Sequence, residues 1–415
     1  MDRTIAKIDV RQADQTDPLR AFRDRFELPE GVIYLDGNSL GALPKTVKQR
    51  VARTISQEWG EQLIRSWNTA DWVHLPQRVG NKIARLIGAQ EATVVAADST
   101  SINLFKVLSA ALQLNPGRSK IISERDNFPT DLYIAEGVAK QIGKDHQLVL
   151  ADTAADICAM LDEDVAVLML THVNYRTGYR HDMTALTKAA HDRGILVIWD
   201  LCHTAGAMQV DLAGANADFA IGCGYKYLNG GPGAPAFLYV NPRHQGGFRQ
   251  PLSGWFGHRA PFDFDPSYAP SGSVEQYLCG TPPVLGMVAM DEAMSVWDDV
   301  DMTAVRAKSV ALCDCFIQNV GEFADQFNLT LVTPRDADRR GSQVSYSCDN
   351  GYAIMQALIA RGVIGDFRAP DIIRFGMTPL YLSFAEVEGA AAILKDILAT
   401  RAWDAAEYQV RGAVT

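Results

Sequence analysis

Seven short apolar runs recur in the first part of the chain: "ATVVAAD" (Ala92–Asp98), "SKIISE" (Ser119–Glu124), "HQLVLAD" (His146–Asp152), "VAVLMLTHV" (Val165–Val173), "GILVIWD" (Gly194–Asp200), "ADFAIGC" (Ala217–Cys223) and "APAFLYV" (Ala234–Val240). They are short, rich in β-branched residues and apolar at consecutive rather than alternate positions, which predicts strands covered on both faces. Stretches with helical spacing lie between several of them, such as "SINLFKVLSAALQL" (Ser101–Leu114) and "MTALTKAAHDR" (Met183–Arg193). Strand, helix, strand in series predicts an α/β fold with a mostly parallel sheet flanked by helices. Ligands of such sheets sit beyond the carboxyl ends of the strands, so polar residues just after the apolar runs are the first candidates for chemistry.

After about Asp299 the pattern changes. "MTAVRAKSVALCDCFIQNVGEFADQF" predicts one long helix, followed by "LTLVTP", "SQVSYSC", the helix-like "GYAIMQALIARG" and "DIIRFGMTP". Ser383 and Glu386 have capping-box spacing at the start of "SFAEVEGAAAILKDIL". This mixture predicts a smaller C-terminal α/β domain over 299–415, a large domain over 46–298, and an N-terminal segment, 1–45, packing on the small domain. A length of 415 residues suits two domains better than a single core.

Hydrophobic residues make up 47% and charged residues 21%, as in ordinary soluble proteins. The formal net charge of -10, with no basic tract, argues against nucleic acid as a partner. Seven cysteines are scattered without a CxxC or zinc-like His/Cys spacing, so reduced thiols and no metal are expected. "MDRTIAKIDVRQADQTDPLR" has no secretory h-region, and no apolar run approaches ~18 residues. The expectation is a cytoplasmic protein with no membrane association.

One lysine stands out. "IGCGYKYLNGGPGAPAFLYV" places Lys226 between Tyr225 and Tyr227 and ahead of a glycine-rich run. Asp200 closes the preceding strand-like run, with His203 just beyond it. Neighbouring strands ending in Asp200 and Lys226 would bring an acid and an amine to one edge of the sheet. Two readings are open: a plain salt bridge, or a pyridoxal 5'-phosphate site, in which a lysine carries the cofactor and an anion keeps its ring nitrogen protonated. Such a site also needs a phosphate cradle. Thr100 and Ser101, at the start of a predicted helix, would supply one, or would simply cap that helix. In "NFPTDLY" (Asn127–Tyr133), Phe128 is either loop packing or a ring for the cofactor face.

Together, "YLDGNSLG", "DSTSINLFK", "NFPTDLY", "THVNYRTG", "WDLCHTAGA", "GCGYKYLNGGPG" and "PLSGWFGH" closely resemble the kynureninases, pyridoxal phosphate enzymes of tryptophan catabolism. The matching motifs run in order from about residue 31 to "IIRFGMTPLY". The resemblance implies the fold type I transferase architecture and a homodimer with shared sites. It implies Lys226 as the cofactor lysine and α-proton shuttle, and Asp200 as partner of the pyridine nitrogen with His203 nearby. It further implies Thr100, Ser101 and Tyr225 at the phosphate, Phe128 on the ring, and Thr130, Asp131 and Thr171 as further cofactor contacts. Trp255 and Thr281 would reach the phosphate from the neighbouring subunit, and Arg374 would clamp the substrate α-carboxylate. The implied reaction is hydrolytic Cβ–Cγ cleavage of L-kynurenine, or its 3-hydroxy form, to anthranilate or 3-hydroxyanthranilate and L-alanine. Tyr225 is the candidate for serving the carbonyl end or for a relay through the phosphate.

Cys202 departs from the small apolar residue of many relatives, and Thr281 from an Asn found in some. Trp67, Trp72 and His74 could wall the substrate ring, although core packing is the simpler reading. Two alternatives stand beside this reading. One is another fold type I enzyme such as a cysteine desulfurase, with Cys348 well placed after the lysine. The other is a non-catalytic protein that binds the cofactor.

Overall fold

The computed structural model describes residues 7–143, 146–246 and 248–412. All seven expected strands form: β1 (Val94–Ala97), β2 (Lys120–Glu124), β3 (Gln147–Ala151), β4 (Val165–Thr171), β5 (Leu196–Asp200), β6 (Phe219–Gly222) and β7 (Ala236–Val240). They make one sheet in the order β1-β7-β6-β5-β4-β2-β3. β2 to β6 pair in parallel, while β7 runs antiparallel to both of its neighbours. β1 therefore points the same way as β6, and its carboxyl end opens on the same edge as those of β4 and β5.

The continuous apolar runs follow from burial on both faces. Val197 and Trp199 enter one core cluster and Ile198 the other, the two-residue alternation of a strand between two helical layers. Burying each such large side chain contributes about 1.5–3 kcal/mol. Helices α1 (Leu75–Leu86), α2 (Thr100–Leu114), α3 (Pro129–Ile142), α4 (Met183–His191) and α5 (Val284–Met294) accompany the sheet.

Beyond residue 299 the long helix is shorter than its pattern predicts. α6 spans Met302–Gly321, and a separate 3-10 turn at Asp325–Phe327 follows. A four-stranded antiparallel sheet, β8 (Thr330–Leu331), β9 (Gln343–Ser347), β10 (Asp366–Arg368) and β11 (Ile372–Gly376), has the order β8-β9-β11-β10. Helices α7 (Gly351–Ala360) and α8 (Phe384–Thr400) complete this unit, and α8 opens on the expected Ser383–Glu386 capping box.

The N-terminal residues lie against these elements. Ile33–Tyr34 pair in parallel with Val363–Ile364. Arg23 grips the Glu386 carboxylate at two points of 2.7 Å, and Asp14 accepts from the Phe384 and Ala385 N–H groups at the start of α8. The loop at Leu40–Gly41 then crosses to the large sheet. The Gly41 N–H donates to the Tyr225 carbonyl at 2.8 Å. A Cβ on Gly41 would stand 2.3 Å from the Lys226 carbonyl oxygen, so only glycine allows this approach. Among the described residues no helix is long and apolar enough to cross a membrane, and no cluster of three His, Cys, Asp or Glu could hold a metal ion.

Candidate active site

A cavity of about 580 Å³ opens at the carboxyl ends of β1, β4, β5 and β6. Thr100, Ser101, Phe128, Thr130, Asp131, Thr171, Asp200, His203, Tyr225 and Lys226 all line it. Ten of the residues singled out in the sequence thus converge, although they come from five separate segments of chain. Trp255, Thr281 and Arg374 do not line it.

Lys226 does not end a strand. β6 stops at Gly222, and the lysine lies four residues further on, in the loop that Gly41 touches. Its amine forms no ion pair with Asp200, although the Asp200 charge is close enough to act on it. Lys226 Nζ instead lies 3.1 Å from His203 Nε2 and 5.9 Å from the centre of the Phe128 ring. Burial, the Lys226 charge and the more distant Arg374 and Arg368 hold His203 well below its ordinary value, so the ring is neutral and Nε2 accepts from the lysine. Burial opposes the Lys226 ammonium, but the Cys223 and Cys202 thiols, the Tyr225 phenol and Asp200 together outweigh it and raise the amine above its ordinary value. Burial pushes the Tyr225 phenol up to about 12, which keeps its proton in place as a donor.

Asp200 Oδ1 accepts the Cys202 N–H at 2.6 Å. Asp131, from the first turn of α3, meets the same carboxylate. Burial first, then the Asp200 charge and the closeness of its carboxylate, raise Asp131 well above the carboxylate range. Thr171 Oγ1 donates to Asn127 Oδ1 behind them.

The N-cap of α2 is Ser99, whose side chain accepts from the Ile102 N–H. Thr100 and Ser101 are therefore the first helical residues and not caps. Their N–H groups point out of the helix start, and the nearest polar partner of the Thr100 hydroxyl is the Cys202 thiol at 3.8 Å. A 15-residue helix with two free N–H groups and two hydroxyls at its positive end suits a phosphate. Deeper in, Asp131 Oδ2 and His203 Nδ1 are buried without a partner. A cavity with an amine, paired carboxylates and a helix N-terminus fits pyridoxal phosphate, which brings an aldehyde, a ring N–H and a phosphate.

Arg374, on β11, is 1% exposed and already engaged. Its Nε and one terminal nitrogen bind both oxygens of Asp366, that same nitrogen donates to Ser39 Oγ at 2.8 Å, and the other donates to the Tyr175 carbonyl at 2.5 Å. Four of its five N–H groups are occupied, which leaves one for a substrate carboxylate rather than a two-point clamp. Gln343 of β9 donates to the same Tyr175 carbonyl at 2.9 Å, so the small sheet meets the cavity rim at Tyr175. Trp255 is 38% exposed and packs edge-on against Phe256 and Phe262, and Thr281 lies exposed in the Cys279–Pro283 loop.

Trp67, Trp72 and His74 lie off the cavity. Trp72 is buried with its indole N–H on Glu58 Oε2 at 3.1 Å, and Trp67 packs on Trp72 and Phe256. The core reading of both tryptophans holds, while His74 is exposed beside Asp71. Sequence reasoning missed Leu40, Tyr175 and Pro232 as lining residues, although each sits inside a quoted motif. It had no signal for Asp366. Cys348 follows β9 directly and is buried, and its thiol is pushed up to about 12 by burial, an inert environment for a nucleophile.

Residues 305–394 match the kynureninase C-terminal domain family. A kynureninase of Burkholderia pseudomallei (strain 1106a) is 53% identical over 406 residues, which cover 97% of this chain and 98% of that protein. A kynureninase of Pseudomonas fluorescens matches with the same identity and coverage. Among solved structures, a cysteine desulfurase from Escherichia coli is similar with a TM-score of 0.77 at 18% identity, covering 92% of this chain and 98% of that one. At that identity the likeness speaks for the shared fold alone.

Proposed function

The chain belongs to the kynureninase family, and on that premise we propose that the cavity at the strand ends binds L-kynurenine and hydrolyses its Cβ–Cγ bond to anthranilate and L-alanine. The protein is a pyridoxal 5'-phosphate-dependent hydrolase of carbon–carbon bonds in ketonic substrates. The observation that carries the residue assignment is the Lys226 amine, set in the cavity against a neutral His203.

When bound, pyridoxal phosphate supplies a protonated ring that draws negative charge from the substrate α-carbon. Thr100 and Ser101 hold its phosphate with their hydroxyls and the free N–H groups of α2. Asp200 holds the proton on the ring nitrogen, with Asp131 and Thr171 fixing the orientation of the acidic pair. Phe128 and Thr130 line the cavity mouth. Lys226 would hold the cofactor at its aldehyde and, as a free amine, would move the proton at the substrate α-carbon, with His203 Nε2 orienting it. Tyr225 keeps its phenolic proton and donates to the γ-carbonyl oxygen while water adds to that carbon. The Cβ–Cγ bond then breaks with its electron pair left on Cβ, which takes a proton and leaves as the methyl group of L-alanine. The acyl fragment keeps the water oxygen and leaves as the anthranilate carboxylate. Arg374 draws the substrate α-carboxylate toward the small unit, 299–415, while the large unit, 46–298, holds the cofactor. The 3-hydroxylated substrate would react in the same way, giving 3-hydroxyanthranilate.

The working form is a homodimer in which Trp255 and Thr281 of one subunit complete the phosphate site of the other. Trp255, Phe262 and Phe264 are exposed at 38%, 56% and 79% along one loop, an apolar surface that a second subunit would cover. Seven free cysteines and an acidic pI near 5.3 are in keeping with a cytoplasmic setting.

The test is incubation of the purified protein with pyridoxal phosphate and L-kynurenine, with product identification. Anthranilate and L-alanine in equal amounts are expected. Sulfide from cysteine, with no anthranilate from kynurenine, would point to the desulfurase chemistry instead.

A further inference from the structure

Two thiols that this reaction does not use meet at the edge of the cavity. β5 and β6 pair in parallel with Asp200 opposite Ile221, and the Leu201 N–H continues the ladder to the Ile221 carbonyl at 2.8 Å. Carrying that register past the strand ends sets Cys202 opposite Cys223. The Cys223 thiol donates to the Cys202 carbonyl oxygen at 3.9 Å, so the two side chains stand side by side. Parallel neighbours lie about 4.8 Å apart, inside the ~4.4–6.8 Å Cα separation that a disulfide spans. Cys202 faces the cavity, with the Thr100 hydroxyl 3.8 Å from its sulfur, and both residues are otherwise buried. A small solute therefore reaches this pair through the cavity and not through the outer surface.

We infer that Cys202 and Cys223 form a dithiol that hydrogen peroxide, entering through the cavity, oxidises to a disulfide, and that a bound cofactor shields it. The shielding rests on the cofactor site proposed above; the disulfide itself does not. Burial opposes ionisation of Cys223, but the adjacent Cys202 side chain and the Lys226 charge outweigh it and lower this thiol, so Cys223 ionises first. Its thiolate attacks one peroxide oxygen: an S–O bond forms, the O–O bond breaks, and hydroxide leaves and is protonated to water. The Cys202 sulfur then attacks the sulfenic sulfur: the S–S bond forms, the S–O bond breaks, and the departing hydroxide takes the Cys202 proton as a second water. The sulfur pair loses two electrons, and one peroxide is reduced to two waters.

The holoenzyme and the cofactor-stripped chain would be exposed to matched hydrogen peroxide, blocked at free thiols, digested and read by mass spectrometry. A Cys202–Cys223 cross-link that dithiothreitol reverses is expected, accumulating about threefold or more faster in the stripped chain. Cys202→Ala should lose the cross-link while the exposed Cys158 keeps its reactivity. A dominant cross-link between another pair, separate sulfinic acids at the two positions, or no cross-link under conditions that oxidise Cys158 would each overturn the dithiol. Equal rates in the two forms, with the cross-link present, would overturn the route through the cavity.

Discussion

Asp366 and Arg374 face each other as direct partners across β10 and β11 and hold a two-point ion pair, with Nε to Oδ1 at 2.8 Å. Each is 1% exposed. Ser39, from the N-terminal loop, reaches the Asp366 carboxylate and the guanidinium at 2.8 Å each. The arginine proposed to meet the substrate carboxylate is thus set in place by two separate parts of the chain. Removing one partner of such a pair leaves a buried charge uncompensated, which costs far more than the intact pair contributes.

Asp366→Ala should therefore destabilise the protein by about 3–5 kcal/mol. Urea unfolding checks the stability. Asp366→Asn, which keeps one acceptor, should fold better and show a raised KM for L-kynurenine with a smaller change in kcat. An unchanged KM in that variant would separate Arg374 from substrate binding.

Lys226→Ala should reduce turnover by at least about 10²–10⁴-fold, since it removes the amine that faces both His203 and the cavity. Anthranilate fluorescence reads the rate. Product formation at the parent rate would refute the assignment of this lysine.

Asp36 gives a pH signature. Burial, then the Asp366 charge, raise its carboxyl to about 7, against an opposing pull from Arg374. A carboxyl raised on folding binds its proton more tightly in the folded chain, so stability is fullest below the unfolded value near 4 and falls as pH rises toward 7. Asp36→Asn removes that loss. The melting temperature of the variant relative to the parent should rise between about pH 4 and pH 7 and level off above. A difference that shrinks over that window would contradict the raised value.

Cys348→Ser should leave carbon–carbon cleavage within about twofold of the parent, because the thiol is buried and held protonated. The check is kcat/KM for L-kynurenine beside sulfide release from cysteine.

Trp255→Ala should weaken cofactor retention, measured by the absorbance of bound pyridoxal phosphate, while leaving the far-ultraviolet dichroism of the chain unchanged. Sedimentation of the parent should give twice the chain mass. A monomer with full cofactor affinity would remove Trp255 and Thr281 from the site.

What the chain determined locally was legible before any coordinates. Unbroken apolar runs gave the seven strands of the large sheet, the Ser383–Glu386 spacing gave the start of the last helix, and the residues around Lys226 pointed to the cofactor. These features depend on neighbours a few positions apart, whose burial and hydrogen bonding repeat with the period of the element. Only the tertiary structure decided that Lys226 meets His203 and not Asp200, that Asp131 stands against Asp200, that Asp366 occupies Arg374, and that Cys202 stands opposite Cys223. Each of those pairings joins segments far apart in the chain. Their partners are chosen by strand register and by the docking of the N-terminal loop and the small sheet on the large one, and no short-range periodicity encodes either.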